Sequence, residues 1–458
     1  MKKLVKIILK SLFIFLFILC NQRADASINK ILQESPILNS ATTSISIKQL
    51  STGMSVYSYN EKKLLHPASI LKILTTPVII NQLKNDYWFI TSMYIDGKNQ
   101  LYIKLSADPS FSSSDLNTLI RTARPYLKNI SKIYIDDTIT DLDEWGIGWM
   151  WDDNTSSCIQ KFSPYNINKN LYKFSVEPNI ENNTVRINKL DKESYVSVMN
   201  FLKVSDKDKR NNITVKRFPW QAMDMIYFYG SVSTPEILTL AVNNPKDNFL
   251  SILKNQLASF NIDYYNNYEF KKVPQNAKLI ASVSHNIEPL YFDILKNSDN
   301  FTTETLFKVA SSKYIKGQGT FSNAKKMFYD YYKNLGLVFD NNIILADASG
   351  VSRNNLITAD FITEALVKLS QEEDLKYSKY LAKGNQGTML DRLFDIRENV
   401  YAKTGTLAGI SSIAGYVTDK SGNKYAYAIL TQNYISKNKE LKDFEDKIIR
   451  AIYEGNIN

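Results

Sequence analysis

Three short polar segments contain the residue types that acyl transfer requires. They are Ser69-Ile70-Leu71-Lys72, Ser298-Asp299-Asn300 and Lys403-Thr404-Gly405, in that order along the chain. Together they supply a serine nucleophile, a lysine that can accept its proton, a second hydroxyl with a nearby amide, and a cation that can bind an anionic substrate. Each segment is too short to be specific alone, so the setting of each one decides the prediction.

The setting of Ser69 is that of a helix start. Pro67 suits the first turn of a helix, and an apolar run follows Ser69. Free N–H groups and the positive end of the helix dipole favour negative charge that develops there. Lys72 lies three residues further on, nearly one turn, so its amine is predicted to lie beside the Ser69 hydroxyl. The ordinary pKa of lysine is about 10.4, so desolvation or a neighbouring cation such as Lys403 must lower it before Lys72 can act as a base.

Other copies of these patterns lie in settings that do not suit chemistry. Ser251 also begins a Ser-x-x-Lys pattern, but Asn244-Pro245 predicts a helix start before it and places it in the middle of that helix. Lys420-Ser421-Gly422 imitates the third segment, but it lies between two apolar runs and is typical of a hairpin turn. His66 precedes Ser69 by three residues, yet no Gly-x-Ser-x-Gly elbow surrounds the serine, which disfavours a Ser-His hydrolase.

The third segment continues a predicted strand. The alternating residues 398–402 predict an extended strand that leads into Lys403 and Thr404. Gly405 has no side chain, so the backbone of a substrate could approach and pair with the strand edge there. The sequence therefore predicts that a peptide binds beside this strand.

The three segments together are the signature of penicillin-binding proteins and class A β-lactamases. The chain resembles the class C low-molecular-mass penicillin-binding proteins, a family of D-alanyl-D-alanine carboxypeptidases and endopeptidases. The resemblance also includes residues 347–353, although Ala348 stands where the family commonly has glycine, and residues 402–417. The long interval between Ser69 and Ser298 resembles the inserted domains of that family rather than a class A β-lactamase.

The resemblance implies the chemical roles at the reacting bond. Ser69 would form the acyl-enzyme, Lys72 would take its proton, and Ser298 would help to protonate the leaving D-alanine. The backbone N–H groups of Ser69 and Thr406 would form the oxyanion hole, in which one donor is typically worth about 2.7 to 4 kcal/mol. No cofactor and no metal are expected.

The resemblance also implies how the substrate is held. Asn300 would hold the substrate amide, and Lys403 and Thr404 would bind the terminal carboxylate. Residues 149–153 match a family segment whose acidic residue meets the ammonium group of a diamino acid in the peptide, which assigns that role to Asp153. The alternative for Asp153 is a solvated loop carboxylate that caps a turn.

The expected activity is hydrolysis of the terminal D-Ala-D-Ala bond of peptidoglycan stem peptides, or of D-amino-acid cross-links between stems. β-Lactam antibiotics would then act as covalent inhibitors. A β-lactamase is the first alternative, but no Glu-x-x-Leu-Asn segment follows Asn300 to position a hydrolytic water. A catalytically silent cell-wall-binding protein of the same fold is the second alternative, and it would release no D-alanine.

The N-terminus predicts export. Lysines precede an apolar run at 12–19, and Ala24-Asp25-Ala26 suits cleavage, so residues 1–26 are predicted to be a signal peptide and the mature protein to be periplasmic. The apolar run is shorter than the roughly 20 residues that cross a bilayer, so no stable membrane anchor is expected.

Only Cys158 remains after processing, which excludes an internal disulfide. Removal of residues 1–26 would take away four lysines, Arg23 and Asp25 and lower the formal net charge from +10 to +6, which suits an anionic cell wall or membrane surface. The basic residues form no long runs, so nucleic acid is not an expected partner.

The length of 458 residues is too great for a single core. The expected fold is α+β, the penicillin-binding (serine β-lactamase-like) transpeptidase fold, in which a β-rich insert of one or two small domains interrupts an antiparallel sheet with helices. Residues 27–88 and 240–458 are predicted to form a discontinuous catalytic domain, and residues 89–239 to form the insert.

Period-two patterns predict a hairpin at 94–103 and strands around Tyr401, Ile413 and Tyr425. The last helix, with an apolar face within 441–452, is predicted to pack on the sheet, and a membrane-bound tail is the alternative.

Overall fold

The computed structural model describes residues 27–457, apart from 129, 192, 207–208, 219–222, 263–267, 373–376 and 436. The predicted signal peptide at 1–26 therefore lies outside the described residues. The described chain forms two compact units. The first lies within 1–70, 356–373 and 381–458, and the second within 71–355 and 374–380.

The secondary structure elements are numbered in chain order. The α-helices are α1 (Ile28–Glu34), α2 (Lys72–Leu83), α3 (Ser113–Ala123), α4 (Pro245–Ser259), α5 (Glu288–Lys296), α6 (Asn300–Ile315), α7 (Phe321–Asn334), α8 (Ala359–Gln371) and α9 (Asn438–Glu454). The strands are β1 (Thr42–Gln49), β2 (Ser55–Tyr59), β3 (Trp88–Ile95), β4 (Gln100–Lys104), β5 (Lys132–Asp136), β6 (Leu171–Asn179), β7 (Thr184–Lys189), β8 (Ser197–Val204), β9 (Asn212–Lys216), β10 (Met225–Val232), β11 (Glu236–Ala241), β12 (Tyr268–Phe270), β13 (Lys278–Asn286), β14 (Ile343–Ile344), β15 (Leu356–Ile357), β16 (Ala382–Lys383), β17 (Val400–Leu407), β18 (Ile410–Thr418) and β19 (Lys424–Gln432). Short 3₁₀ helices lie at Pro36–Asn39, Ala68–Leu71, Arg124–Tyr126, Trp151–Asp153, Tyr377–Tyr380, Gly387–Met389 and Phe394–Ile396.

The first unit is built on a six-stranded antiparallel sheet. Its strand order is β16-β17-β18-β19-β1-β2, so β1 is paired with a strand from far along the chain. Alternate residues of a strand point to opposite faces. Apolar residues of one face, such as Ile45, Ile413 and Ile429, lie in a core that α9 completes. On the other face, Ser46 Oγ and Thr363 Oγ1 of α8 share a hydrogen bond of 2.7 Å.

The last helix, α9, packs on this sheet as predicted. Its apolar face is buried in the core with residues of β17, β18 and β19, and it consists of Leu441, Phe444, Ile448, Ile449 and Ile452. Burial against the sheet therefore accounts for the apolar face of this helix, and the membrane-bound alternative is disfavoured. Within the part of the chain that the structure describes, every helix is too short or too polar to cross a bilayer.

The second unit contains a five-stranded mixed sheet with helices packed on it. The order is β12-β5-β4-β3-β13, with parallel pairing at β4-β5 and β5-β12. Leu119 of α3 and Leu253 of α4 share one core with strand residues such as Ile103. Two three-stranded sheets, β11-β6-β7 and β8-β10-β9, share a second core in which the rings of Phe174 and Phe228 lie 5.5 Å apart.

Helices α2 and α6 form the buried part of the second unit that matters most for the site. Residues 72–80 of α2 and 301–312 of α6 are buried. Helices that are apolar or small on all sides belong in a core. α2 packs against α5, α6 and α7, and Tyr332 Oη of α7 donates to Leu74 O at 2.8 Å. This packing fixes the first residue of α2 relative to the first residue of α6.

Most elements predicted from sequence patterns are present. The hairpin predicted at 94–103 is the antiparallel pair of β3 and β4. The strands predicted around Tyr401, Ile413 and Tyr425 are β17, β18 and β19. The predicted limits of the insert, 89 and 239, do not coincide with the limits of the two units, and the division into a catalytic domain and an insert stays a prediction.

Candidate active site

Lys72, the first residue of α2, is fully buried, with 0% of its surface exposed. Its Nζ donates to Asn300 Oδ1 at 2.5 Å and to Ser349 O at 2.6 Å. Asn300 is the first residue of α6. The structure therefore brings the lysine of the first predicted segment into contact with the asparagine of the second.

The environment of Lys72 changes its acidity. Burial lowers the pKa of Lys72 to about 8, because a charged amine loses its hydration there. Negative charge on Asp347, Glu304 and Asp299 acts in the opposite direction, with a smaller contribution from Cys158. Desolvation, one of the two predicted causes, therefore has a larger effect on the pKa of Lys72 than the opposing negative charges.

The Ser349 carbonyl that faces Lys72 belongs to residues 347–350, here called the carbonyl strap. The backbone N–H groups of Ala348 and Ser349 both donate to the Glu304 carboxylate, at 3.0 and 2.7 Å. Glu304 lies one helical turn after Asn300, on the same helix. α6 therefore carries both an acceptor for Lys72 and the carboxylate that holds the strap.

Asp347 fixes the strap from its other end. Its carboxylate accepts from Gly350 N at 2.8 Å and from Ser352 N at 2.6 Å. It also accepts from Asn355 Nδ2 at 2.7 Å and from Trp149 Nε1 at 2.8 Å. These four hydrogen bonds fix the position of the Asp347 carboxylate.

Glu304 and Asp347 were not predicted as site residues. Burial, and then the charge of Asp347, raises the pKa of Glu304. The sequence offers one indirect signal, since a Glu on a helix of otherwise uncharged residues, 300–307, has no obvious solvent-facing side. Its partners Ala348 and Ser349 lie within residues 347–353, which the resemblance includes, but nothing in that segment pairs them with Glu304.

The second segment forms the turn between α5 and α6. Ser298 is half-buried and has a left-handed backbone, with φ +64°. Asp299 is the N-cap of α6, and its side chain accepts from Thr302 N at 2.8 Å. Asn300 Nδ2 donates to Cys158 O at 2.8 Å. Hydrogen bonds thus hold both the nitrogen and the oxygen of the Asn300 amide.

Ser69 lies in the 3₁₀ helix Ala68–Leu71, which continues directly into α2. The predicted helix start is confirmed, with a tighter first turn than an α-helix. Ala68 has a left-handed backbone, with φ +47°, and strain of this kind typically costs about 1–3 kcal/mol. The half-exposed serine is therefore presented by a strained turn that its surroundings must hold.

Strands β17 and β18 hold that turn. Ser412 Oγ donates to Pro67 O at 2.6 Å. A Cβ on Gly405 would lie only 2.9 Å from both Pro67 O and Ser69 N, so a side chain there would displace the turn. Thr406, the next residue, is exposed. Within the first unit, the glycine of the third segment therefore lies directly against the backbone of the predicted nucleophile.

Lys403, Thr404 and Gly405 follow one another on β17, as predicted. Lys403 is fully buried, and its Nζ donates to Thr404 O at 2.7 Å. The short strand β16 pairs with β17 at Tyr401 and Ala402, whereas β18 pairs with it along its whole length. The pairing of β16 with β17 therefore stops at Ala402, just before the third segment begins.

Asp153 lies at the end of the 3₁₀ helix Trp151–Asp153 and is half-buried. Trp149 of the same segment is buried, and its bond to Asp347 anchors the segment to the carbonyl strap. Burial, and then the adjacent Asp152, raises the pKa of Asp153. The carboxylate is thus held on an anchored loop of the second unit.

The residues that the sequence analysis set aside lie in one helix and two turns. Ser251 lies inside α4, and its Oγ donates to Glu193 O at 3.1 Å. Residues 420–422 lie in the turn between β18 and β19. His66 lies in the turn before Ser69, where its backbone N donates to Gln432 Oε1 at 3.2 Å.

The predicted site residues fall into two sets. The first unit contains Ser69 and residues 403–406, and the second contains Lys72, Ser298, Asn300 and Asp153. In the first set, Gly405 lies against Ser69. In the second set, Lys72 contacts Asn300.

Solved structures show the same fold. The crystal structure of penicillin binding protein 4 from Haemophilus influenzae is similar to this chain, with a TM-score of 0.82 and 23% identity over 93% of this chain and 99% of that chain. A crystal structure of the same protein complexed with a β-lactam has a TM-score of 0.78 and 22% identity, at the same coverage. The predicted α+β penicillin-binding fold is confirmed.

The sequence pattern of the D-Ala-D-Ala carboxypeptidase 3 (S13) family matches residues 24–453, and this chain belongs to that family. The D-alanyl-D-alanine carboxypeptidase DacB of Haemophilus influenzae is 24% identical over 440 residues, which cover 89% of this chain and 90% of that protein. A D-alanyl-D-alanine carboxypeptidase of Actinomadura sp. is 23% identical over 444 residues, which cover 88% of this chain and 79% of that protein. The predicted family is confirmed, and with it the class of enzyme, a serine-type D-Ala-D-Ala carboxypeptidase.

Proposed function

We propose that this carboxypeptidase removes the terminal D-alanine from peptidoglycan stem peptides through an acyl-enzyme on Ser69. The observation that carries the proposal is the environment of Lys72, a buried lysine with a lowered pKa and two fixed acceptors. A surface lysine would stay charged at neutral pH and could not take a proton. The proposed covalent inhibitors are β-lactam antibiotics, and the proposed compartment is the periplasm.

Lys72 is the proposed base for Ser69. A neutral amine has two N–H bonds and one lone pair, whereas the ammonium form has three N–H bonds. Asn300 Oδ1 and Ser349 O accept from two of these bonds. The lone pair of the neutral form is then the group that receives the proton of the Ser69 hydroxyl. The spacing of three residues along one continuous helical segment favours this approach.

The proposed reaction exchanges bonds in two steps. Ser69 Oγ attacks the carbonyl carbon of the penultimate D-alanine while its proton passes to Lys72. The N–H groups of Ser69 and Thr406 hold the oxyanion, a contribution of about 2.7 to 4 kcal/mol per donor. As the peptide bond breaks, the proton passes through Ser298 to the leaving amine, and D-alanine departs. Water then cleaves the ester, which releases the shortened peptide and restores the serine.

The substrate is proposed to lie as an added strand along β17, beyond the end of β16. Lys403 and Thr404 would bind the terminal carboxylate through charge-assisted hydrogen bonds. The Asn300 amide nitrogen carries two hydrogens, and one of them goes to Cys158 O. The second is proposed to donate to a carbonyl of the substrate.

The rate of acylation is expected to follow the neutral form of Lys72. Because the pKa of Lys72 is about 8, about one molecule in ten has the neutral amine at pH 7. The protonated form cannot accept a proton, so the second-order rate constant for reaction with penicillin should rise about tenfold per pH unit below pH 7 and level off above pH 9. Timed labelling with a fluorescent penicillin between pH 5.5 and 10 measures this profile. A rate constant that does not change between pH 6 and 9 would contradict the assignment of the base.

Asp153 is proposed to recognise the ammonium group of a diamino acid in the stem peptide. Replacing Asp153 by Asn should lower kcat/KM about tenfold for a peptide with a free ammonium group at that position, because an ion pair is lost. A peptide in which the same amine is acetylated should show no such change. Asp152→Asn is the matched control, since it removes the adjacent carboxylate. Equal losses on both peptides, or a loss confined to Asp152→Asn, would refute the role of Asp153.

The proposed function is tested by D-alanine release from a peptide that ends in D-Ala-D-Ala. The protein is expected to release D-alanine from this peptide and none from the same peptide ending in L-Ala-D-Ala. Cross-linked muropeptide dimers in the same assay measure DD-endopeptidase activity. Folded protein that releases no D-alanine would favour the silent cell-wall-binding alternative, and rapid turnover of penicillin would favour the β-lactamase.

A further inference from the structure

A turn in the second unit has an unusual backbone. Asn168, Lys169 and Asn170 all have left-handed backbones, with φ values of 51°, 54° and 51°. Asparagine tolerates this conformation better than most residues, whereas a long side chain such as lysine does so less readily. Lysine is thus the residue of this turn that the local backbone favours least, and contacts elsewhere must offset the strain.

The turn is held without help from the Lys169 side chain. Asn168 Oδ1 accepts from Ser113 N at 2.9 Å. Asn170 is fully buried, and its Nδ2 donates to Lys161 O at 2.9 Å. These bonds are made by the two asparagines, so a change of side chain at position 169 leaves them in place.

The Lys169 side chain extends to the second segment of the site. Its Nζ donates to Asp299 Oδ2 at 2.9 Å and to Asp293 Oδ2 at 3.4 Å. Burial alone would lower the pKa of Lys169, but Asp299 and Asp293 together raise it. The ammonium group of Lys169 therefore bridges the end of α5 and the start of α6.

The two carboxylate oxygens of Asp299 accept hydrogen bonds from different donors. Oδ1 accepts from Thr302 N and caps α6, while Oδ2 accepts from Lys169. On one side of Asp299 is Ser298, whose backbone is also left-handed, and on the other is Asn300, the first residue of the helix. The bonds of the Asp299 side chain therefore help to fix the backbone from which the side chains of Ser298 and Asn300 extend.

We propose that Lys169 is a positioning residue for the second segment. Its ammonium group holds Asp299 so that the Ser298 hydroxyl and the Asn300 amide keep the orientation that acylation requires. The inference rests on the proposed function of Ser298 and Asn300. Lys169 lies between the first and second segments along the chain and belongs to none of the three segments.

The test compares Lys169→Met, Lys169→Arg and wild type in single-turnover acylation by a fluorescent penicillin. Misplaced catalytic groups slow the chemical step more than they weaken binding. Lys169→Met should therefore lower the limiting rate of acylation by about tenfold, within the range that small misplacements cause. The half-saturating penicillin concentration should change little. Lys169→Arg keeps the cation and should recover most of the rate.

A matched control is Lys132→Met, which removes another lysine–carboxylate pair of the same unit, the pair with Glu269. The side chain of Lys132 is 28% exposed, compared with 40% for Lys169. This variant should acylate at the rate of wild type. A loss of rate in Lys132→Met equal to that in Lys169→Met would show a general effect of lost charge and would overturn the inference.

The outcomes separate this inference from the function on which it rests. If wild type is not acylated, the proposed function itself fails. If wild type reacts and Lys169→Met reacts as fast, or if Lys169→Arg is as slow as Lys169→Met, the positioning role is wrong. Partial unfolding of Lys169→Met would lower the fraction of labelled protein without changing the rate of the labelled molecules, and that result would also overturn the role.

Discussion

Replacing Ser69 by alanine will abolish covalent labelling by a fluorescent penicillin and the release of D-alanine. The expected loss is about 10⁴-fold or more, because removal of a serine nucleophile leaves only the residual effects of binding and the oxyanion hole. The variant should fold, since the change removes a single oxygen from a half-exposed side chain. Gel fluorescence after timed reaction and assay of free D-alanine measure the two losses.

The control for this prediction is Ser251→Ala. Ser251 begins the same Ser-x-x-Lys pattern, but it lies inside α4 and donates to Glu193 O. Its replacement should cost about 1 kcal/mol of unfolding free energy, the usual value for a lost hydrogen bond, and leave labelling intact. Labelling that persists in Ser69→Ala would refute the nucleophile. Labelling that disappears only in Ser251→Ala would point to the rival pattern.

Replacing Lys72 by methionine should slow acylation about 10³-fold, within the usual range for loss of a general base. The side chain of methionine has a similar length and fills the buried space, but it has no amine that could accept a proton. Lys72→Arg should be as slow, because a guanidinium keeps its charge and its donors but does not lose a proton in proteins. The measurement is the second-order rate constant for labelling by penicillin at pH 8.

The pair of variants at Lys72 separates two roles. If Lys72 only stabilised negative charge, arginine would preserve much of the rate and methionine would not. If Lys72→Arg is acylated at the wild-type rate, the assignment of Lys72 as the base is contradicted. Lys254→Met is the matched control, since Lys254 is the exposed lysine of the rival pattern in α4, and it should react like wild type.

Local signals were enough to predict the elements that carry the three segments. Pro67 and the apolar run after Ser69 predict a helix start, and the structure has a 3₁₀ helix that continues into α2 there. The alternation before Lys403 predicts a strand, and β17 spans Val400–Leu407. These features depend on neighbours within a few residues, which is the range over which periodicity and helix-end residues act.

The groups that adjust Lys72 could not be predicted in the same way. Ser349 contributes a backbone carbonyl to Lys72, and any residue type would supply the same atom. Glu304 is buried on α6, which packs against α2, α5 and α7, and its partners in the carbonyl strap lie more than 40 residues away, at separations of 44 and 45. Tertiary packing decides such contacts, and patterns of a few residues do not record them.

The same limit applies to Lys169. The composition Asn-Lys-Asn suits a turn, but the bond to Asp299 joins residues 130 positions apart. The Cys158 carbonyl that accepts from Asn300 is 142 positions from it. The sequence thus predicts the elements that carry the three segments better than it predicts the residues that hold those segments in place.

The acyl-enzyme on Ser69 is tested most directly by peptide mapping after brief reaction with penicillin. Trypsin cleaves after lysine, so Ser69 lies in the peptide 64–72, which contains no other Ser, Thr, Cys or Tyr. The expected result is a mass increase of one whole penicillin on this peptide, with fragment ions that place it on Ser69 and not on Lys72. The penicillin mass on any other peptide, with peptide 64–72 unmodified, would contradict the mechanism.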